Sequence, residues 1–181
     1  MTRALYLGSW RIDVTVRDGV MPPASAAALG RAIARAAEAG GAPKPASIGL
    51  ILSADAELAV LNATHLATSG PTDVLSFPLL PPEAFPPHPG GSEWATGTIA
   101  AFPLPPRRRP NLGDIVVSVE RATEQATHGH GGQTGDIRWT PADELRLLVT
   151  HGTLHLCGWD HADPEEEAAM RALERRLLAG G

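Results

Sequence analysis

The segment from Thr140 to His161 constrains this chain more than any other, because it holds a complete helix start, a helix stop and three histidines. Thr140 offers an N-cap side chain, Pro141 suits a first turn where its missing N–H costs nothing, and Asp143 stands where a capping box needs an acid. The helix so begun runs through Leu145, Leu148 and His151 to about Leu156, and Gly158 stops it. His151 and His155, four residues apart, then stack on one helical face. Beyond the glycine the chain can turn back, which makes His161 available from a different direction. A second start, Asp163-Pro164 with Glu166, opens a terminal helix whose Met170, Leu173 and Leu177 can pack inward.

The rest of the chain reads as short strands alternating with helices. Ile12, Val14 and Val16 alternate with polar neighbours, the period of a half-buried strand, up to the Asp18-Gly19 turn. Ala24 to Ala39 carries Leu29, Ile33 and Ala37 at helical spacing and ends at Gly40-Gly41. Ser47 to Ser53 is an apolar run suited to a buried strand, and Asp55 to Leu66 repeats Leu58, Leu61 and Asn62 at helical spacing. Asp73 to Phe77 forms a third strand stopped by Pro78, which lacks the donor a ladder needs. Ile115 to Val119 is the fourth, followed by a helix over Glu120 to Thr127 and a glycine-rich loop from His128 to Gly135. Nine of the 17 prolines lie between Pro81 and Pro110. We therefore expect a long surface excursion at about 79–111, with a small hairpin around Trp94 to Phe102.

Length and composition set outer bounds. A chain of 181 residues fits one domain, 1–181, with an elaborated loop. A net charge of -5 excludes a uniformly basic surface, and no DNA partner is expected. The one dense basic cluster is Arg107 to Arg109, read as a solvated charge run. A single cysteine, Cys157, excludes an internal disulfide framework and suits a reducing compartment. Trp10, Arg11 and Asp13 interrupt any signal-like apolar stretch, and no span is long enough to cross a bilayer. The expectation is a cytoplasmic protein with no membrane partner.

Three histidines with an open fourth position make the arrangement of a catalytic zinc site, in which the ion activates water or polarises a substrate oxygen. Cys157 is the nearest protein candidate for the fourth place, but two positions beyond His155 it projects to a different side of the helix. Imidazole ligands also suit nickel and copper. His65, His88, His128 and His130 fall in helix ends or loops and are read as solvated. The HxxxHxxGxxH spacing is also that of metzincin proteases, which place a general-base glutamate directly after the first histidine. Here that position is Gly152, so a metzincin-like protease is the weaker reading.

Leu61 to Pro78 (LNATHLATSGPTDVLSFP), Leu112 to Ser118 (LGDIVVS) and His151 to His161 (HGTLHLCGWDH) together resemble the bacterial YbeY-type endoribonucleases. That resemblance runs from Trp10 to Leu178. It implies an α+β fold with a small mixed sheet of about four strands and a metal site at the end of a helix. It implies a zinc-dependent hydrolase that cuts single-stranded RNA at phosphodiester bonds, with ribosomal RNA and the small ribosomal subunit as partners, in rRNA maturation and ribosome quality control. One Zn2+ would sit on His151, His155 and His161, with His151 needed for catalysis. Thr72, Asp73 and Ser76 would border the cleft as substrate or supporting residues, and Asp160 is placed to orient a metal-bound histidine. The family usually carries an arginine where this chain has Leu66, and arginine is the residue that holds phosphate bidentately. A non-catalytic or weakly catalytic ribosome-assembly or RNA-binding factor with a zinc site is therefore the alternative role.

Overall fold

A computed structural model describes residues 1–65, 72–89, 109–128, 139–161 and 163–180. Its centre is a five-stranded mixed sheet in the order β1-β2-β3-β5-β4, formed by Thr2–Leu7, Trp10–Val16, Ala46–Ser53, Asn111–Ser118 and Val74–Pro78. The three central strands β2, β3 and β5 are parallel, and antiparallel strands close both edges. The fold class is α+β, as expected. The sheet has one strand more than the sequence reading gives it. β1 was missed because only Leu5 and Leu7 are half-buried in it and Tyr6 points out, 66% exposed.

Alternation along the strands sorts their side chains into two clusters. Ile12, Val14, Ile48, Leu50, Leu52, Ile115 and Val117 join the main core with residues of α1 (Ala26–Ala39), α4 (Pro141–Leu156) and α5 (Pro164–Ala179). Leu75 and Val116, turned the other way, pack with Leu58 of α2 (Asp55–His65). A fifth helix, α3 (Val119–His128), continues directly from β5 and adds Val119 and Ala122 to the main core.

The central helix α4 begins as its sequence dictates, since Thr140 and Asp143 form both bonds of the capping box. Between Leu147 and Leu156 every residue is buried except His151 and His155. Each buried leucine contributes about 1.5–3 kcal/mol, so this part of the helix is a fixed platform from which the two histidines emerge. It also lies very close to the sheet. A side chain at Gly152 would put its Cβ 2.7 Å from Ile115 Cγ2 and 3.1 Å from both Ser76 Oγ and Val74 Cγ2. Ser76 Oγ donates to the Gly152 carbonyl at 3.0 Å, which ties β4 to the helix at that level.

The proline-rich excursion corrects one expectation. Its described start, residues 79–89, holds a single 3-10 turn at Pro82–Ala84 and then packs inward: Phe85 is 8% exposed and belongs to the main core. His88, read as solvated, has its side chain largely covered, 9% exposed. Its ring stacks on Trp159 at 4.2 Å and 12°, and Nε2 lies 3.0 Å from the Gly158 carbonyl. Proline fixes the approach of this stretch and the aromatic pair anchors it, which composition alone does not reveal. The hairpin around Trp94 to Phe102, the loop after His128, and Leu66 lie outside the described residues.

Candidate metal centre

The C-terminal end of α4 turns back because Gly158 adopts φ 82°, a left-handed conformation that costs glycine little. The Gly158 N–H donates to the His155 carbonyl at 3.1 Å, and that of Trp159 reaches the Leu154 carbonyl at 3.1 Å. His161 therefore returns toward the helix face it has just left. One ligand-capable atom from each of His151, His155 and His161 lies within 4.8 Å of the other two. The three rings sit with centroids 4.5, 5.7 and 5.1 Å apart. His151 Nε2 and His155 Nε2 are 3.0 Å apart. Two nitrogens on one tetrahedral zinc stand roughly 3.3 Å apart, so this pair needs little adjustment to share an ion.

Electrostatics favours a lone pair over a proton on His155. Burial lowers the His155 pKa to about 4, reinforced by the neighbouring His151 and His161 rings, while Asp160 and a backbone bond at Trp159 push back upward. His155 is therefore neutral at physiological pH. On His151, Nδ1 lies 2.7 Å from Oε1 of Glu174, a carboxylate only 2% exposed on α5. A proton held between them on Nδ1 leaves Nε2 with its lone pair toward the other histidines. The three donors fit a borderline-soft cation, and the set can hold a metal ion.

The other expected site residues have definite places. Asp160 Oδ1 accepts the His161 backbone N–H at 2.8 Å, and the Asp160 N–H donates to Glu166 Oε1 at 3.0 Å. It shapes the loop that carries His161, while the place beside the His151 ring belongs to Glu174. No local motif announces Glu174, because it stands 23 residues from its partner. Thr72 Oγ1 donates to the Val74 carbonyl at 3.1 Å. Asp73 accepts from Val74 N at 2.8 Å and from Gln125 Nε2 at 2.9 Å. Asp73, Glu144 and His151 line the same cavity. Burial pushes the Glu144 pKa up to about 7; Trp139 works against the shift and Asp73 adds to it.

Cys157 is fully buried, its thiol pushed up to about 12 by burial, and its Sγ would lie 2.9 Å from a Cβ at Gly40. It faces α1, away from the histidines. Gly152 likewise faces the sheet, so the position that carries a protease's glutamate is here a helix-to-sheet contact. Arg109 donates to the Ser9 carbonyl at the β1-β2 turn at 2.6 Å, Arg121 pairs with Asp55 and Glu124, and Arg107 and Arg108 lie outside the described residues. Among the described residues, no helix is long and apolar enough to cross a membrane.

A family model described as Endoribonuclease YbeY matches residues 16–180. The Endoribonuclease YbeY of Synechococcus sp. (strain CC9605) is 42% identical over 136 residues, covering 75% of this chain and 66% of that protein. The one from Salinispora tropica is 45% identical over 123 residues, covering 67% and 66%. That of Azorhizobium caulinodans is 35% identical over 173 residues, covering 93% and 91%. The matched stretch thus spans just under two thirds of the first two relatives. The solution structure of TM1509 from Thermotoga maritima aligns over 92% of this chain and 90% of that one at 19% identity and a TM-score of 0.47, a likeness too low to bear on the fold.

Proposed function

Since this chain belongs to the YbeY endoribonuclease family, we propose that it is a zinc-dependent endoribonuclease that hydrolyses phosphodiester bonds of single-stranded RNA, ribosomal RNA of the small subunit above all. Action in rRNA maturation and ribosome quality control, in the cytoplasm, belongs to the same proposal. The observation that carries it is the convergence of His151, His155 and His161 within 4.8 Å, on a family match that covers residues 16–180.

The division of labour follows from the residues. His151 and His155 offer donors from a helix locked into the core, and His161 closes the set from the reversed loop. Glu174 holds the His151 proton on Nδ1 and so keeps Nε2 free to bind. Burial keeps His155 unprotonated, which spares a cation the work of displacing a proton there. A zinc ion bound here would supply Lewis acidity toward a phosphoryl oxygen and toward water. Gly152 leaves no carboxylate beside His151 for peptide hydrolysis, and its packing leaves no room for one.

Metal analysis of the natively purified protein, combined with cleavage of single-stranded ribosomal RNA, tests the proposal. The expected result is about one zinc per chain and endonucleolytic products, both lost in His151→Ala. Intact RNA after incubation with metal-loaded protein, together with His151→Ala cells indistinguishable from wild type, would overturn it. Tight association with small-subunit RNA but no cleavage, reversed by Leu66→Arg, would instead favour the assembly-factor role.

A further inference from the structure

Of the three histidines, His161 is the one that no regular element holds. His151 and His155 stand on α4, whereas His161 is exposed and follows residues 157–160, which are neither helix nor strand. Resting on the zinc reading above, we propose that His88 is a positioning residue for the metal centre. Through the Gly158–Trp159 peptide it holds the loop that brings His161 to the other two histidines.

That peptide is held at both of its polar ends. The Trp159 N–H donates to the Leu154 carbonyl at 3.1 Å, inside α4. The Gly158 carbonyl lies 3.0 Å from His88 Nε2, and because a carbonyl only accepts, Nε2 carries the proton and donates. The His88 ring also stacks on Trp159, with centroids 4.2 Å apart and planes at 12°. One side chain thus fixes a carbonyl and the next residue's ring together. From there the chain passes to His161 through Asp160, whose N–H donates to Glu166 Oε1 at 3.0 Å and whose Oδ1 accepts the His161 N–H at 2.8 Å. Glu166 Oε1 is itself 3.6 Å from His88 Nε2, so the proline-rich start and the first turn of α5 meet at this loop.

The sequence around His88 makes it a firm support. Pro86, Pro87 and Pro89 flank it, each with φ fixed by its ring, and a residue before proline favours the extended region. Such a segment gives up little conformational entropy when it docks. Phe85 is anchored in the main core, and a Cβ at Gly158 would meet Pro82 at 3.5 Å and Phe85 at 3.7 Å, so the same stretch lies against the turn itself. A ligand already held in place binds an ion more tightly, because the fold rather than the ion meets the cost of ordering it. Without His88 the Gly158 carbonyl loses its donor and the Trp159 ring its stacking partner. His161 then spends part of its time away from His151 and His155.

Zinc affinity of the full chain, measured by competition with a chromophoric chelator, tests the inference. His88→Ala removes both ring and donor and is expected to weaken zinc binding about tenfold. His88→Gln keeps a donor where Nε2 stands, and His88→Phe keeps a ring against Trp159, so each should recover part of the loss. A cycle with His161→Ala separates positioning from general support of the fold. Once the third histidine is gone, His88 has nothing left to position, and His88→Ala should cost less than about twofold in that background. Equal affinity in wild type and His88→Ala, or the same loss with and without His161, overturns the inference. Should the alanine variant fail to fold, the glutamine and phenylalanine variants enter the same cycle under the same criteria. A wild type that binds no zinc sinks the zinc reading and this inference with it, whereas zinc bound equally by wild type and the His88 variants sinks this inference alone.

Discussion

Two glutamates flank the His151 side of this molecule, and they make opposite use of the same burial. Glu174 on α5 and Glu144 on α4 are each 2% exposed. Glu174 meets the His151 ring at 2.7 Å, whereas Glu144 keeps an oxygen without a partner and has its pKa driven up to about 7. Burial is common to both, so what separates them is the neighbour: an imidazole ring at 2.7 Å in one case, the Trp139 side chain and the Asp73 charge in the other. Burial sets the stakes for a carboxyl group, and the neighbour decides its charge.

The largest test adds a third carboxyl group where α4 offers neither space nor partner. Gly152→Glu places a side chain against Ile115, Ser76 and Val74, so overpacking and an unpaired buried acid act together. A loss of at least about 3 kcal/mol is expected, read as a collapse of the urea midpoint. A variant as stable as wild type, and able to cut unfolded protein, would show that the metzincin reading was discarded too early. Next in size is the paired acid. Glu174→Leu should weaken metal binding about 10- to 100-fold, because His151 loses the group that holds its tautomer. Glu174→Gln keeps an acceptor oxygen and should recover most of that loss. Equal cobalt affinity in all three proteins would reduce Glu174 to a packing residue.

What the sequence reveals divides along the same line. Signals that act within one turn of helix were legible: the Thr140–Asp143 box, the Asp163 cap with its bonds to Glu165 and Glu166, and the stacked His151–His155 pair all stand where their spacing puts them. Contacts made by folding were not. Glu174 comes to His151 only once α5 has docked, and His88 comes to Trp159 only when the proline-rich start folds inward. β1 owes its existence to the ladder with β2, since Thr2–Leu7 has no buried alternation of its own, and Leu5 earns its partial burial against Gly30 of α1. Glu144 is half an exception. Its place in the first turn of a capped helix was readable, but its nearness to Asp73, which shares a cavity with it, was concealed by sequence distance.

The smallest effect belongs to that unpaired acid, and its sign is opposite to the usual carboxylate. Glu144 has its pKa raised from 4.5 to about 7 in the folded protein. Between those values the unfolded chain gives up a proton that the native state retains, so wild type loses stability as pH rises through the window and levels off above it. Glu144→Gln has no proton to give up. The variant should match wild type near pH 4 and exceed it by about 1–2 kcal/mol at pH 8, seen as a difference in urea midpoints that opens between the two pH values. Every other ionisable group is common to both proteins and cancels from the difference. Parallel pH profiles would mean that Glu144 is ionised in the fold after all, and the contrast with Glu174 would then rest on geometry alone.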